Sequence, residues 1–271
     1  MSTRSSNPAH LRAHQYATGR NLNARIDLHR RFTTAEVPLP VWLFERMAIP
    51  ADGRVLELGC GTGDYWQEVA DRVPPDWRLT LTDFSEGMVR EARAATAGLR
   101  CSTEVCVVDA AAVPLRDDSV DVVLANHMLY HLPDLDGALR EVRRVLRPDG
   151  VLHAATIGET HLHQLHELIR RCVPSARTLH GAVHRFSAEN GAAQLARWFP
   201  NVETETIDGE LHVTEAEPVL AYVRSTGVAR GLQRDDFERI AAAVREEIDS
   251  NGALVLDTHN ALFTCRARAS G

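Results

Sequence analysis

Five short apolar runs between residues 54 and 157, most of them separated by stretches of helical period, confine this chain to a parallel sheet covered by helices. The runs lie at 54–59 (RVLELG), 78–83 (RLTLTD), 102–109 (STEVCVVD), 119–126 (SVDVVLAN) and 151–157 (VLHAATI). Helices are expected over 64–73 and 85–96, the second opened by Ser85 as its N-cap. A third carries Leu135, Ala138, Leu139, Val142, Val145 and Leu146 at the 3.6-residue period until Arg147-Pro148-Asp149-Gly150 stops it. Strands joined by helices of this length pair in parallel, and the helices then cover both faces.

The flanks are less regular. Residues 1–15 are expected to be disordered, and YATGRNLNARIDLHRRF (16–32) is basic and weakly amphipathic, with Leu22, Ile26 and His29 at helical spacing. A short helix is predicted over 38–47, ended by the Pro-Ala-Asp-Gly turn at 50–53. After Ile157, the positions Leu162, Leu165, Leu168, Ile169 and Cys172 predict a helix that ends before Pro174. Another is expected near 187–198, then an alternating strand at 202–207 and helices near 215–225 and 235–249. Phe237, Ile240, Ala241, Val244 and Ile248 form the apolar stripe of the last helix. Asn251-Gly252 then turns into a final strand or hairpin at 253–267.

Lys and Arg total 30 against 37 Asp and Glu, a formal charge of −7. An acidic chain lacks the field that draws proteins to phosphate backbones, so a nucleic-acid partner is not expected. No apolar run approaches the ~20 residues that span a bilayer, and residues 1–14 hold no apolar signal-peptide core. No membrane partner is expected. The five cysteines (Cys60, Cys101, Cys106, Cys172, Cys265) form no Cys-x-x-Cys pair, which points away from zinc knuckles and disulfide frameworks and towards the cytoplasm.

The chemistry gathers at Glu57-Leu58-Gly59-Cys60-Gly61-Thr62-Gly63, where the first run ends. Glycine at every second position lets the backbone turn sharply and approach a ligand that a Cβ would block. Dinucleotide sites use Gly-x-Gly-x-x-Gly to aim a helix N-terminus at pyrophosphate. Here the spacing is Gly-x-Gly-x-Gly, with Glu57 two residues before the first glycine. That carboxylate would repel a diphosphate but suits an ammonium group, so the ligand reads as a cationic nucleoside with a methionine tail. Asp83 ends the second run, where a carboxylate can accept hydrogen bonds from both ribose hydroxyls. Asp109 ends the third, followed by Ala110, and an acid there can pair with the exocyclic amine of adenine. A lone Asp closing a strand is often only a turn residue or a cap. Two of them in phase with the glycine loop favour a ligand.

The segments VLELGCGTGDYW, LTDFSEGMV, VVDAAAVPLRDDSVDVVLANHMLYHLPD and VLRPDGVLHAATI resemble, in order, the motifs of class I (Rossmann-like) S-adenosylmethionine-dependent methyltransferases. The likeness covers residues 50–158 and is greatest to the branch with the ubiquinone, menaquinone and natural-product enzymes. It implies an α/β fold with a seven-stranded, mostly parallel sheet whose last strand is antiparallel. It implies S-adenosylmethionine as cofactor, with S-adenosylhomocysteine as product. Carried over by position, it sets Glu57, Gly59, Cys60, Gly61 and Gly63 around the methionine portion. Asp83 falls on the ribose, Phe84 and Met88 beside the adenine, Asp109 and Ala110 on the adenine amine, and Asn126 and His127 near the sulfonium. The chain then divides into a flexible N-terminal segment and lid (1–35), a cofactor-binding core (36–157), a helical substrate lid inserted after the fifth strand (158–200) and a C-terminal part completing the sheet (201–271).

The expected acceptor is a small molecule, methylated at O, N or C, in natural-product metabolism, by a monomer or homodimer. Methyl transfer is an in-line displacement, and the protein's main task is to hold the nucleophile in line with the departing sulfur. His131 and His127 in Asn126-His127-Met128-Leu129-Tyr130-His131 are the candidate catalytic bases, since an imidazole near its usual ~6.5 suits proton transfer at neutral pH. Packing is the competing role for both. Asn126-His127-Met128-Leu129 lacks the Asp/Asn-Pro-Pro-aromatic pattern of enzymes that methylate amines of nucleic-acid bases. No carboxylate and amide set follows the fourth strand, and no metal is expected. His163 and His166 share a helical face from which His161 lies apart, which suits a solvated or pocket-lining face better than a metal site. Tyr16, Arg20 and Arg25 are candidates to close over the cofactor. Two other readings compete: a protein of this fold using the cofactor for a non-methylating reaction, and a non-catalytic partner subunit.

Overall fold

The computed structural model describes residues 19–177 and 181–267. Seven strands form one sheet in the order β3-β2-β1-β4-β5-β7-β6, with β1 Arg54–Leu58, β2 Arg78–Asp83, β3 Ser102–Val107, β4 Val120–Asn126, β5 Leu146–Ile157, β6 Asn201–Val213 and β7 Leu254–Arg266. β1 to β5 pair in parallel, while β7 runs antiparallel to both β5 and β6. This is the expected α/β architecture with an antiparallel last strand. The chain order reverses between β1 and β4, and ligands of open α/β sheets bind at the carboxyl ends of strands beside such a switch.

Alternate residues along the central strands serve opposite faces. Leu56, Leu58, Val123, Ala125, Leu152 and Ala154 pack on one side with Ala138, Leu139, Val142 and Val145 of α5 (Leu135–Val145). Val55, Val122, Leu124 and Ala155 pack on the other with Trp42 and Leu43 of α2 (Leu39–Arg46), Trp66 of α3 (Asp64–Glu68) and Ala92 of α4 (Glu86–Thr96). The caps follow the sequence. Ser85 Oγ accepts from the Met88 N–H, Asp134 from the Gly137 N–H, and Gly252 at φ +80° ends α9 (Arg234–Asn251).

One strand boundary needs correction. β6 extends to Val213 rather than stopping at 207, because its whole length pairs with β7, and Leu211 and Val213 enter a further core. That core joins the far ends of β6 and β7 to α1 (Arg20–Phe32), α6 (His163–Cys172), α8 (Ala216–Ser225) and α9. The stretch 158–200, expected as a lid, packs into two cores. α6 enters this outer core, whereas Phe186, Leu195 of α7 (Gly191–Leu195) and Phe199 belong to the core of the sheet. The described part of 1–35 packs against the outer core. Leu28 and Phe32 are buried among α8 and its neighbours, Arg31 pairs with Glu215 at 2.5 Å, and Thr33 bridges Leu211. The expectations for residues 1–15 and for Tyr16 lie outside the described residues. Among the described residues no helix is long and apolar enough to cross a membrane.

Candidate active site

The loop after β1 turns through three glycines in the left-handed region: Gly59 at φ +70°, Gly61 at +57° and Gly63 at +79°. A Cβ on Gly59 would stand 2.8 Å from Met128 Cβ, and one on Gly61 would stand 2.7 Å from Leu22 Cδ2. These positions admit no side chain without strain or displacement. Asp83, at the end of β2, fastens the loop, accepting from the Gly61 N–H at 3.1 Å and the Ser85 N–H at 2.8 Å. Burial raises its pKa. Cys60 is buried too, its N–H donating to Thr82 O at 2.8 Å, and burial holds its thiol protonated.

Beneath the loop Glu57 is 2% exposed. Its Oε2 accepts from Trp66 Nε1 at 2.6 Å and its Oε1 from Asn126 Nδ2 at 3.3 Å. Burial outweighs both bonds and lifts the carboxyl to about 7. Asn126 Oδ1 and Thr62 Oγ1 are buried with no hydrogen-bond partner among the described residues. Asp109 differs from expectation: β3 ends at Val107, and Asp109 stands exposed in the following turn, its Oδ1 accepting from the Ala111 N–H at 2.9 Å. Phe84 is half-buried, and Met88 is enclosed at 1% exposure.

The other wall is histidine-rich. His127 follows β4 at φ +53°, a conformation costing a non-glycine residue about 1–2 kcal/mol, and its N–H donates to Ala155 O at 2.9 Å. Burial lowers its imidazole to about 4, with the nearby His29 adding to the effect. His131 closes the 3-10 turn Leu129–His131, and burial lowers it to about 3, helped by the positive charges of Arg25 and Arg185. Both rings are thus neutral at pH 7.

α1 lies across the loop. The Gly19 N–H donates to Glu91 Oε1 at 2.8 Å, and Arg30 pairs with Asp64 at 2.6 Å. Arg25 reaches α8, with Nε 3.0 Å from Ser225 Oγ and Nη2 2.5 Å from Ser225 O. His29 stacks on His161 with centroids 5.3 Å apart, their Nε2 atoms 3.2 Å from each other. His161 Nδ1 accepts from the His259 N–H at 3.1 Å, so its Nε2 carries hydrogen and donates to His29. His29 Nδ1 then donates to Arg25 O at 2.9 Å. The chain of bonds is complete only while both rings are neutral, and burial lowers the pKa of His29 accordingly.

A family model described as a methyltransferase domain matches residues 56–154. A malonyl-[acyl-carrier protein] O-methyltransferase of Geobacter sulfurreducens is 35% identical over 186 residues, 68% of this chain and 67% of that relative. The chain belongs to the class I S-adenosylmethionine-dependent methyltransferases. It spans less than half the length of two further curated relatives it matches. Among solved structures, a candidate methyltransferase of Bacillus halodurans superposes with a TM-score of 0.60 at 15% identity, covering 85% of this chain and 99% of that one. The [4+2]-cyclase SpnF superposes at 0.56 with 20% identity, covering 93% and 97%. These two likenesses show the fold, which hosts more than one chemistry.

Near the carboxyl ends of β1, β2 and β4 the fold gathers the candidate residues Glu57, Gly59, Cys60, Gly61, Gly63, Asp83, Asn126, His127 and His131. It does not gather His161, His163 and His166: His161 turns to His29, His163 Nδ1 stands 3.8 Å from Asp257, and His166 Nε2 has no partner among the described residues. Among the described residues no group of three His, Cys, Asp or Glu could hold a metal. Sequence reasoning missed His29, Trp66, Arg185 and Tyr222. Trp66 carried a signal, lying on the helix that follows the glycine loop. The others come from segments whose meeting no local pattern announces.

Proposed function

We propose that this protein transfers the methyl group of S-adenosylmethionine to an oxygen, nitrogen or carbon nucleophile of a small molecule. When bound, the cofactor supplies an electrophilic methyl on a sulfonium. Glu57, Gly59, Cys60, Gly61, Gly63 and Asn126 hold its amino-acid part, Asp83 the ribose, and Phe84, Met88, Asp109 and Ala110 the adenine side. The observation that carries this reading is the pairing of a buried carboxyl at about 7 with a partnerless Asn126 Oδ1. An incoming ammonium supplies what both lack: a positive charge for Glu57 and a donor for the amide oxygen. Met88 contributes from beneath the adenine rather than as an exposed wall, since it is enclosed while Phe84 is half-buried.

On the acceptor side His127 and His131 act as neutral imidazoles. With pKa values of about 4 and 3, they are stronger as hydrogen-bond acceptors that orient a nucleophile than as bases that take its proton. α1 covers the loop and excludes water from the transfer. The test is incubation with methyl-labelled S-adenosylmethionine and a metabolite extract, followed by mass spectrometry. Label gained by a small molecule is the expected outcome; cofactor binding without any methylated product would overturn the reading in favour of another use of the cofactor.

A further inference from the structure

Arg185 is a half-buried cation with no ion pair among the described residues. It ends the 3-10 turn Val183–Arg185, which packs against the Leu129–His131 turn after β4. The turn is fixed from three sides. Asn190 Nδ2 donates to His184 O at 2.9 Å, Gln194 Nε2 to Arg185 O at 2.9 Å, and Thr156 Oγ1, near the end of β5, to Phe186 O at 3.2 Å. The backbone is therefore held, yet the guanidinium is not: Arg185 Nε and Nη2 are both buried with no partner among the described residues. Burial lowers its pKa, and no acid acts to restore it.

These two nitrogens share one edge of the planar fork, where the N–H bonds run parallel and match the two oxygens of a carboxylate. Leaving charged donors buried and unpaired is costly, so their acceptor is one that arrives from elsewhere. The surroundings bear this out. Arg185 and Arg25 both press His131 towards its neutral form, His127 is neutral as well, and burial raises the Tyr222 phenol to about 12. The wall is therefore positive. The corresponding edge of Arg25 is already occupied by Ser225 Oγ and O, which leaves one two-donor edge, enough for a carboxylate and too little for a phosphate dianion.

We infer that Arg185 anchors a carboxylate carried by the methyl acceptor, making it a specificity-determining residue of the acceptor pocket. This rests on the transfer reading above and narrows its substrate class to organic acids. The acid group enters opposite the cofactor's loop, clamped by Nε and Nη2, while the neutral imidazoles of His127 and His131 orient the reacting atom.

The experiment titrates the protein, loaded with S-adenosylhomocysteine, with matched probes: benzoate against benzamide, hexanoate against hexanamide, and phenyl phosphate. At least one acid should bind about tenfold or more tightly than its amide. Arg185→Gln should weaken that acid roughly 10–100-fold and leave the amide unchanged. Arg185→Lys should restore part of the loss, with S-adenosylhomocysteine affinity constant throughout. In the labelled extract the methylated products should derive from acids, and Arg185→Gln should raise KM far more than it lowers kcat. Equal binding of acid and amide in every pair, a preference for phenyl phosphate, or normal transfer by Arg185→Gln overturns the inference while the transfer reading stands. Absence of label transfer by the parent protein overturns both, and is recognised without any variant.

Discussion

The two walls of the site are built in opposite ways. The cofactor wall is local: Glu57, the glycines to Gly63, Trp66 and Asp83 lie within one strand–helix–strand unit, and most of their polar atoms are paired with one another. The proposed acceptor wall draws Arg25, His29, His127, His131, His161, Arg185 and Tyr222 from five separate segments, and Nε and Nη2 of its Arg185 have no partner among the described residues. One wall is a preformed mould for a fixed ligand. The other is a set of neutral and cationic groups whose affinity is realised only when an acceptor enters, which is where substrate choice can vary over a constant core.

The contrast can be broken most severely at Gly59. Gly59→Val forces a branched side chain into the left-handed region and against Met128, so S-adenosylhomocysteine binding should vanish in calorimetry while circular dichroism keeps the α/β signature. Retained affinity would mean that the loop does not mould the cofactor.

Next in size is acid stability. His127, His131 and His153 sit at about 4, 3 and 4 in the folded chain, below the usual 6.5. Between those values and 6.5 the unfolded chain binds more protons, so their contribution is complete above about 6.5 and falls as pH drops towards 4. Glu57, raised to about 7, works against this between 4.5 and 7. The net loss should be a few kcal/mol, at about 1.4 kcal/mol per tenfold change in proton affinity, discounted for the part-exposed rings. Denaturant titrations at pH 4.5 and 7 measure it, and equal midpoints would show that these three histidines are not desolvated.

Asp83→Ala removes a carboxylate from the ribose position and frees the Gly61 and Ser85 N–H groups. Cofactor affinity should fall roughly 10²-fold, at about 1.5–3 kcal/mol per charge-assisted bond. If the dissociation constant does not move, Asp83 is only a loop fastener.

A smaller effect separates the walls by pH. Cofactor binding brings a cation to Glu57 and favours its ionised form, so binding should release a proton near pH 7, and affinity should be about tenfold weaker at pH 6 than at pH 8. Calorimetry in buffers of different ionisation enthalpy reads the proton directly, and a flat profile removes Glu57 from the cofactor site. Smallest is His131→Gln, expected to lower turnover about tenfold without changing cofactor affinity, and to leave no inflection near pH 6.5 in either protein. A loss of 10³ or more, with the parent rate rising through 6.5, would restore His131 as a base.

The sequence by itself determined the sheet, its capped helices and the glycine loop, because period-2 and period-3.6 patterns, N-caps and positive-φ glycines act over a few residues. Glu57, Asp83 and Asn126 were legible for the same reason: each stands at the end of a strand whose direction the pattern already implied. Tertiary structure alone decided the rest. Gly209 interrupts the alternation that would have shown β6 running to Val213, and only its ladder with β7 carries it there. Asp109 read as a strand end but folds into its own turn. His161 read as standing apart from His163 and His166, and its ring meets His29, 132 residues away. Arg185 is like any surface arginine in sequence, and its Nε and Nη2 become buried and partnerless among the described residues only once its turn packs on the Leu129–His131 turn and the end of β5. Burial of charge is a property of the assembled packing, and a local pattern holds no record of it.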